Sequence, residues 1–205
     1  MDSNSIVIID YGMGNIGSVA NMIKKAGGNA IITSDHEQIL KAKKLLLPGV
    51  GAFDAGMTNL HDKGLTEVIK EAVSSSNTTL LGICLGMQLL FDKSEEGELP
   101  GMGLISGSVH RFVSNNMSMK IPHMGWNSIH IKNNNPLMDS LEDSRYYFVH
   151  SYYVKCNHPE DVVATTQYIV DFDSIVRKNK VYGAQFHPEK SHKFGLTLFQ
   201  NFIAL

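Results

Sequence analysis

The chain has 205 residues, 43% of them apolar and 19% charged, with a formal net charge of −2. Such a composition describes an ordinary globular chain with enough core to fold as one domain over 1–205, and it gives no electrostatic reason to expect nucleic acid or an anionic membrane as partner. Two cysteines in different contexts, Cys84 and Cys156, are too few for a disulfide framework. The start MDSNS lacks the basic residues of a signal peptide and no apolar run approaches a membrane span, so a reducing cytoplasm is the expected location.

Along the chain, the continuous apolar run 6–9 ends at Asp10 and predicts a buried strand. YGMGNIGSV follows, then a helical pattern through Val19, Met22, Ile23 and Ala26 that Gly27 and Gly28 stop, and 30–33 predicts a second strand. This βαβ opening contains G-x-G-x-x-G at Gly12, Gly14 and Gly17, with Asp35 about 20 residues on, as a dinucleotide fingerprint requires. Two details weigh against that reading. Asp10 and Tyr11 lengthen the turn, and Asn15 stands where a helix N-cap would, which gives the glycines a structural purpose. The run 45–47 predicts a third strand, stopped by Pro48. In PGVGAF, the glycines around Val50 make a turn whose N–H groups either supply an oxyanion donor or simply lead into a helix near Ala52. Leu65, Val68, Ile69 and Ala72 continue helically, and Ser74, Ser75, Ser76 and Asn77 form a polar loop.

In TTLLGICLGMQLLF, 78–91, an apolar strand ends abruptly at Cys84 and an amphipathic helical pattern runs on through Met87, Leu90 and Phe91. Gly82 and Gly86 flank the cysteine at the offsets of a nucleophile elbow, a strained strand-to-helix turn. That turn would put the sulfur at a helix N-terminus, which favours thiolate. The competing reading is a buried structural thiol. Strands alternating with helices imply a mostly parallel sheet with ligands at the carboxyl ends of the strands, where Pro48 and Cys84 both fall.

Beyond residue 92 a polar, glycine-rich loop at 94–103 precedes β-like runs at 108–113, 128–131, 146–154 and 162–167, an antiparallel addition to the same domain. NNNP at 133–136 reads as an exposed turn. The run 182–186 predicts a strand ending at His187, and Pro188 fixes the backbone so that His187 and Glu189 project from one side of a rigid turn. A cysteine nucleophile needs a base and a group that orients the base, and all three types now stand at strand ends. No His-x₃-His, Cys-x₂-Cys or H-E-x-x-H spacing suggests a metal. The last helix starts near Ser191, with Phe194, Leu198, Phe202 and Ile203 as its apolar stripe.

Together, GICLGMQ, PGVGAF and GAQFHPEKS resemble the triad-type class I glutamine amidotransferases. DYGMGN, PHMGWN and YFVHSY are similar to the glutaminase subunit of imidazole glycerol phosphate synthase, and the likeness spans essentially the whole chain. The resemblance implies an α/β, flavodoxin-like fold with a mostly parallel central sheet, flanking helices and added antiparallel strands. It implies a triad of Cys84, His187 and Glu189, an oxyanion hole at Val50, Gly51 and Leu85, glutamine contacts at Gln88, Ser151 and Tyr152, and no cofactor. It further implies a (β/α)₈ cyclase subunit as heterodimer partner, taking the ammonia and making imidazole glycerol phosphate and the aminoimidazole carboxamide ribotide. Asn15, Trp126, Tyr147 and Lys190 match positions near that interface, although a core role for Trp126 is equally compatible with its context. The glutaminase of this family is weak until the partner binds ligand, and Val50 between two glycines is where a peptide could flip. Paralogues similar in these motifs serve sugar amidination, so the acceptor stays open. A related cysteine hydrolase and a dinucleotide-binding module are the competing functional readings.

Overall fold

The structure, a computed structural model, describes residues 4–75, 78–114, 119–142 and 144–205. Ser76 and Asn77 of the expected polar loop, and residues 1–3 of the acidic start, lie outside the described residues. The first half alternates β1 (Ser5–Ile9), α1 (Ile16–Lys25), β2 (Asn29–Thr33), α2 (His36–Leu40), β3 (Lys44–Leu47), α3 (Phe53–Asp62), α4 (Leu65–Ser75), β4 (Thr79–Ile83) and α5 (Leu85–Gln88). The second half is mostly strand: β5 (Lys93–Ser94), β6 (Gly107–Arg111), β7 (His123–Ser128), β8 (His130–Ile131), β9 (Arg145–His150), β10 (Tyr152–Cys156), β11 (Val162–Gln167), β12 (Asp171–Lys178) and β13 (Val181–Ala184). Helix α6 (His192–Ala204) closes the chain.

The strands β2, β1, β3, β4 and β13 pair in that order, all parallel. Their order reverses direction at β1 and β3, the switch point where open α/β sheets bind ligands beyond their carboxyl ends. On the other side of β13 the sheet continues through antiparallel β12, β10 and β6, while β7 and β9 form a separate antiparallel ribbon. Alternate residues of one strand enter opposite cores. Val7 and Ile9 face the layer of α2, α3 and α4, whereas Ile6 and Ile8 face α1 and α6. All four are fully buried, which is why β1 reads as an unbroken apolar run. Among the described residues, no helix is long and apolar enough to cross a membrane.

Several sequence expectations need correction. The helix after the elbow is a single turn, not an amphipathic stretch to Phe91, because the loop that follows claims the carbonyls needed to extend it. Met102 N donates to Leu89 O, Leu104 N to Leu90 O and Gly103 N to Phe91 O. Helix α2 and strands β5 and β12 form where the sequence pattern shows no element. The run 128–131 is split between β7 and β8. The run 146–154 breaks at Ser151, whose carbonyl accepts from Phe112 N at 3.0 Å as the chain crosses from the ribbon into the main sheet. The run 182–186 stops being strand at Ala184.

The glycine-rich turn after β1 also proves structural. Asn15 Oδ1 accepts from Ser18 N at 3.4 Å as the N-cap of α1, and Asp35 Oδ1 accepts from Gln38 N at 2.8 Å as the N-cap of α2. The fingerprint's acid is therefore committed to a helix start. Gly17, where the fingerprint wants close helix–strand packing, has nothing within 4 Å of an added Cβ, while a Cβ on Gly14 would sit 3.1 Å from Pro48 Cβ. The turn supports the PGVG loop. The glycines accordingly divide by environment: Gly17→Ala should stabilise the fold by up to about 1 kcal/mol through helix propensity, whereas Gly86→Ala, driven into the carbonyl of Leu47, should destabilise it by about 2 kcal/mol or more. Urea unfolding of the two variants measures both.

Candidate active site

The loops leaving the carboxyl ends of β3, β4 and β13 and the junction of β9 with β10 meet around a cavity of about 340 Å³ lined by Val50, Gly51, Cys84, Leu85, Gln88, Glu96, Val149, His150, Ser151, Tyr152 and His187 among others. Cys84 is the elbow residue, at φ 54° and ψ −113°, a conformation costly for any side chain other than glycine's. The strain is held by packing. A Cβ on Gly82 would lie 2.6 Å from Gly86 O, and one on Gly49 would lie 2.6 Å from Gly86 N and 2.7 Å from the Tyr11 hydroxyl. Tyr11 is fully buried and donates to Pro48 O at 2.7 Å, so the residue before the first loop glycine is clamped. Nothing in the sequence around Tyr11 signals that clamp.

Because α5 is one turn long, the extended helix dipole expected behind the sulfur is absent; the polar groups that face it come from elsewhere. Gln185 Nε2 donates to Cys84 Sγ at 3.9 Å, and the thiol lies 4.0 Å from Val149 O. His187 is 2% exposed and its Nδ1 bonds Glu189 Oε1 at 2.8 Å, with Glu189 equally buried. His187 Nε2 is buried with no hydrogen-bond partner, a state that native proteins seldom leave without a purpose. Burial by itself would lower the pKa of His187, but the Cys84 sulfur and Glu189 together raise it to about 9. The ring thus holds a proton at neutral pH, with the Glu189 carboxylate on one nitrogen and the Cys84 sulfur facing the other. The backbone behind it is fixed: His187 N donates to Tyr147 O at 2.9 Å, and Ser191 Oγ donates to His187 O at 2.6 Å while accepting from Tyr147 N at 3.0 Å.

Of the expected glutamine contacts, Gln88 is the most constrained. Its Nε2 donates to Tyr152 O and to Gln185 Oε1, each at 3.1 Å, which leaves Oε1 as an acceptor. Ser151 and Tyr152 both line the cavity, but their carbonyls are already engaged, Ser151 O by Phe112 N and Tyr152 O by Gln88 and His150. Sequence reasoning misses one further residue. Glu96, in what reads as a featureless polar loop, is the one acidic side chain lining the cavity among the described residues, and its Oε2 accepts from Phe53 N at 2.9 Å. Only the anchoring of its loop on the start of α3, where Asp54 also receives Glu98 N and Leu99 N, brings it in.

Behind the cavity, His150 Nδ1 donates to Tyr152 O at 2.7 Å, and its Nε2 accepts from His123 Nδ1 at 3.0 Å. Asn127 Nδ2 completes the row at His123 Nε2, 3.3 Å away. The Tyr152 carbonyl fixes the tautomers of both rings. Burial lowers His123 to about 4 and His150 to about 3.

Trp126 is 40% exposed, settling its placement at the surface. Its ring stacks on His192 at 5.4 Å and meets Tyr147 edge-on at 6.3 Å, and Lys190 Nζ lies 5.9 Å over the Tyr147 ring. The structure therefore joins Trp126, Tyr147 and Lys190 and adds His192, whereas the Asn15 side chain is committed to capping α1. Among the described residues, no group of three or more His, Cys, Asp or Glu is placed to hold a metal.

The family described as "Glutamine amidotransferase class-I" matches residues 7–205. The chain belongs to that family. The chain is 56% identical over 199 residues to "Imidazole glycerol phosphate synthase subunit HisH 2" of Methanococcus maripaludis, covering 97% of this chain and 98% of that one. It is 47% identical to the protein of the same name in Pseudomonas aeruginosa, covering 98% and 99%. A crystal structure of a glutamine amidotransferase superposes with a TM-score of 0.76 at 19% identity over 97% of this chain and 99% of the other, likeness enough to show the amidotransferase fold. The PurLQS structure from Thermotoga maritima does so at 0.74 and 19% identity, over 98% and 97%.

Two titrations test the electrostatics of this amidotransferase site. His123 and His150 ordinarily titrate near 6.5 and are held at about 4 and about 3, so between about pH 6.5 and 3 the unfolded chain binds more protons than the folded one. Stability should be full above pH 6.5 and fall as pH drops through that window, and His123→Gln should make the loss shallower in thermal melts. His187 has the opposite sign: its contribution is complete below 6.5 and is lost as pH rises through about 9. Glu189→Gln should bring its ring titration, read by NMR, downward.

Proposed function

We propose that this chain is a glutaminase subunit of imidazole glycerol phosphate synthase, hydrolysing L-glutamine through a thioester on Cys84 and delivering ammonia to a (β/α)₈ cyclase partner. The reading also takes residues 1–205 as one amidotransferase domain. The observation that carries it is the buried His187, tied by Nδ1 to Glu189, unpartnered at Nε2 and raised in pKa by the Cys84 sulfur. A proton held there is available to the first step. Cys84 sulfur attacks the side-chain carboxamide carbon, and the oxygen takes up negative charge facing the N–H of Leu85, at the unpaired start of α5, and the N–H groups of the 50–51 loop. His187 gives its proton to the leaving ammonia, then accepts one from the water that attacks the thioester, and glutamate leaves. Each oxyanion donor is worth on the order of 3 kcal/mol of barrier.

Substrate binding follows from what the cavity offers. Glu96 is the natural partner for the α-ammonium group, Gln88 Oε1 accepts a donor, and Ser151, outside either strand, offers its hydroxyl and N–H. The loop switch expected at Val50 gains support from its surroundings: Val50 is half-exposed, Gly51 stands at φ 117°, and the Tyr11 bond to Pro48 O confines rotation to the peptides beyond it. The surface cluster of Trp126, Tyr147, Lys190 and His192 is a suitable anchor for the cyclase, with an aromatic face and a cation beside it. A thiol that must stay reduced supports a cytoplasmic location.

The motifs that carry the reading leave a second acceptor in view, a sugar to be amidinated. Pull-down of the synthase subunit that binds this chain, followed by assay of ammonia transfer to each acceptor class, separates the two. For the chemistry, Cys84→Ala should abolish glutamine hydrolysis while leaving partner affinity intact, and Glu96→Gln should raise KM for glutamine at least tenfold with a smaller change in kcat. Trp126→Ala should weaken partner binding by about 2 kcal/mol, measured by calorimetry. A chain that hydrolyses glutamine with Cys84 replaced would end the reading.

A further inference from the structure

We infer that Gln185 is a second polar partner of the nucleophile, holding the Cys84 sulfur as thiolate and at the same time locking the carboxamide of Gln88 in its substrate-accepting orientation. The inference rests on the reading of Cys84 as nucleophile. Gln185 is fully buried, in a stretch otherwise occupied by Ala184, Phe186 and other core residues, and a carboxamide there is costly unless both its ends are used. Both are used inside the site. Nε2 donates to Cys84 Sγ at 3.9 Å and Oε1 accepts from Gln88 Nε2 at 3.1 Å. The opposite amide orientation would set two N–H donors of Gln185 and Gln88 against each other, so the contacts assign it.

Its position follows from the chain. Gln185 and His187 are two residues apart at the exit of β13, so they project to the same side, while Phe186 goes into the core around α1 and α6. The sulfur consequently meets three kinds of group. Val149 O, at 4.0 Å, is an acceptor and favours the protonated thiol. The Gln185 N–H is a donor and favours the thiolate, as does the charged His187 ring. Gln185 therefore opposes Val149, and it does so with a group whose orientation depends on Gln88. The row Tyr152 O, Gln88, Gln185, Cys84 is continuous. A ligand donor taken up by Gln88 Oε1 polarises the Gln88 N–H, and through it the Gln185 N–H that faces the sulfur.

The test uses the full chain and a neutral alkylating agent, iodoacetamide, which reads the thiolate without glutamine. Reaction in a Cys84→Ala variant gives the background from Cys156. Gln185→Met keeps length and removes both bonds; we expect the pH midpoint of Cys84 alkylation to rise and the rate at neutral pH to fall roughly tenfold, the effect of one hydrogen bond to a charged group. KM for glutamine should rise in parallel, because the Gln88 carboxamide is released. Gln185→Asn keeps a buried amide but withdraws it from the sulfur, and it should move both quantities the same way by less, which serves if the Met variant does not fold. An alkylation midpoint equal to wild type in either folded variant overturns the inference. Such a result would leave glutamine hydrolysis by the wild-type complex untouched, so failure of the inference and failure of the proposed function are distinguishable.

Discussion

The site depends on one backbone contact. The turn after β4 lies directly on the chain leaving β3, so closely that neither Gly86 nor Gly49 has room for a Cβ. Pressed between these segments, Cys84 has no relaxed conformation open to it, and φ 54° follows from the packing. The same contact brings the PGVG loop beside the first N–H groups of α5. Cys84 and the PGVG loop are therefore positioned by a single constraint, and the dense core on both faces of the parallel strands offsets its strain.

Around that constraint the polar groups are engaged with little left over. The Tyr152 carbonyl accepts from Gln88 and His150, Gln185 bridges Gln88 and Cys84, and Ser191 holds both Tyr147 and the His187 carbonyl. Two polar atoms of the site stay without partners, His187 Nε2 and Glu189 Oε2. Both belong to the pair that faces the Cys84 sulfur, so the part of the network without fixed partners is the part nearest that sulfur. The three buried imidazoles are sorted by the same logic. His123 and His150 donate and accept in a neutral row and are driven down by burial, whereas His187 has an acid on one side and a sulfur on the other and is driven up.

Much of this is legible in the sequence, for identifiable reasons. The parallel strands announce themselves as unbroken apolar runs because both their faces are buried, and the elbow shows through paired glycines that only close packing explains. His187 and Glu189 are legible because Pro188 forces them to one side of a turn. Short range is what these signals share. Glu96 is invisible because nothing local distinguishes it from Glu95 or Glu98; its place is set by a bond to Phe53 N, 43 positions away. Gln185 and Tyr11 escape notice likewise, each acting on a residue distant in sequence. The second half misleads at its strand breaks, since DFDSIVRK, β12, pairs on both sides and its apolar character is diluted by Asp173 and Ser174, which are buried by bonds to Cys156 N and Ala164 O.

The surface cluster and the turn that carries His187 and Glu189 share Tyr147, Lys190 and His192 as neighbours. Tyr147 presents its ring to Trp126 and Lys190, while its N–H and carbonyl are bonded to Ser191 and His187. Lys190 follows Glu189 directly within the same 3₁₀ turn, and His192, under the Trp126 ring, begins the helix that follows. The side chains around Trp126 therefore belong to residues whose backbone bonds hold His187 in place. Tyr147 thus links the exposed Trp126 to the turn that carries His187 and Glu189 through its own backbone bonds, with no element of the parallel sheet between them.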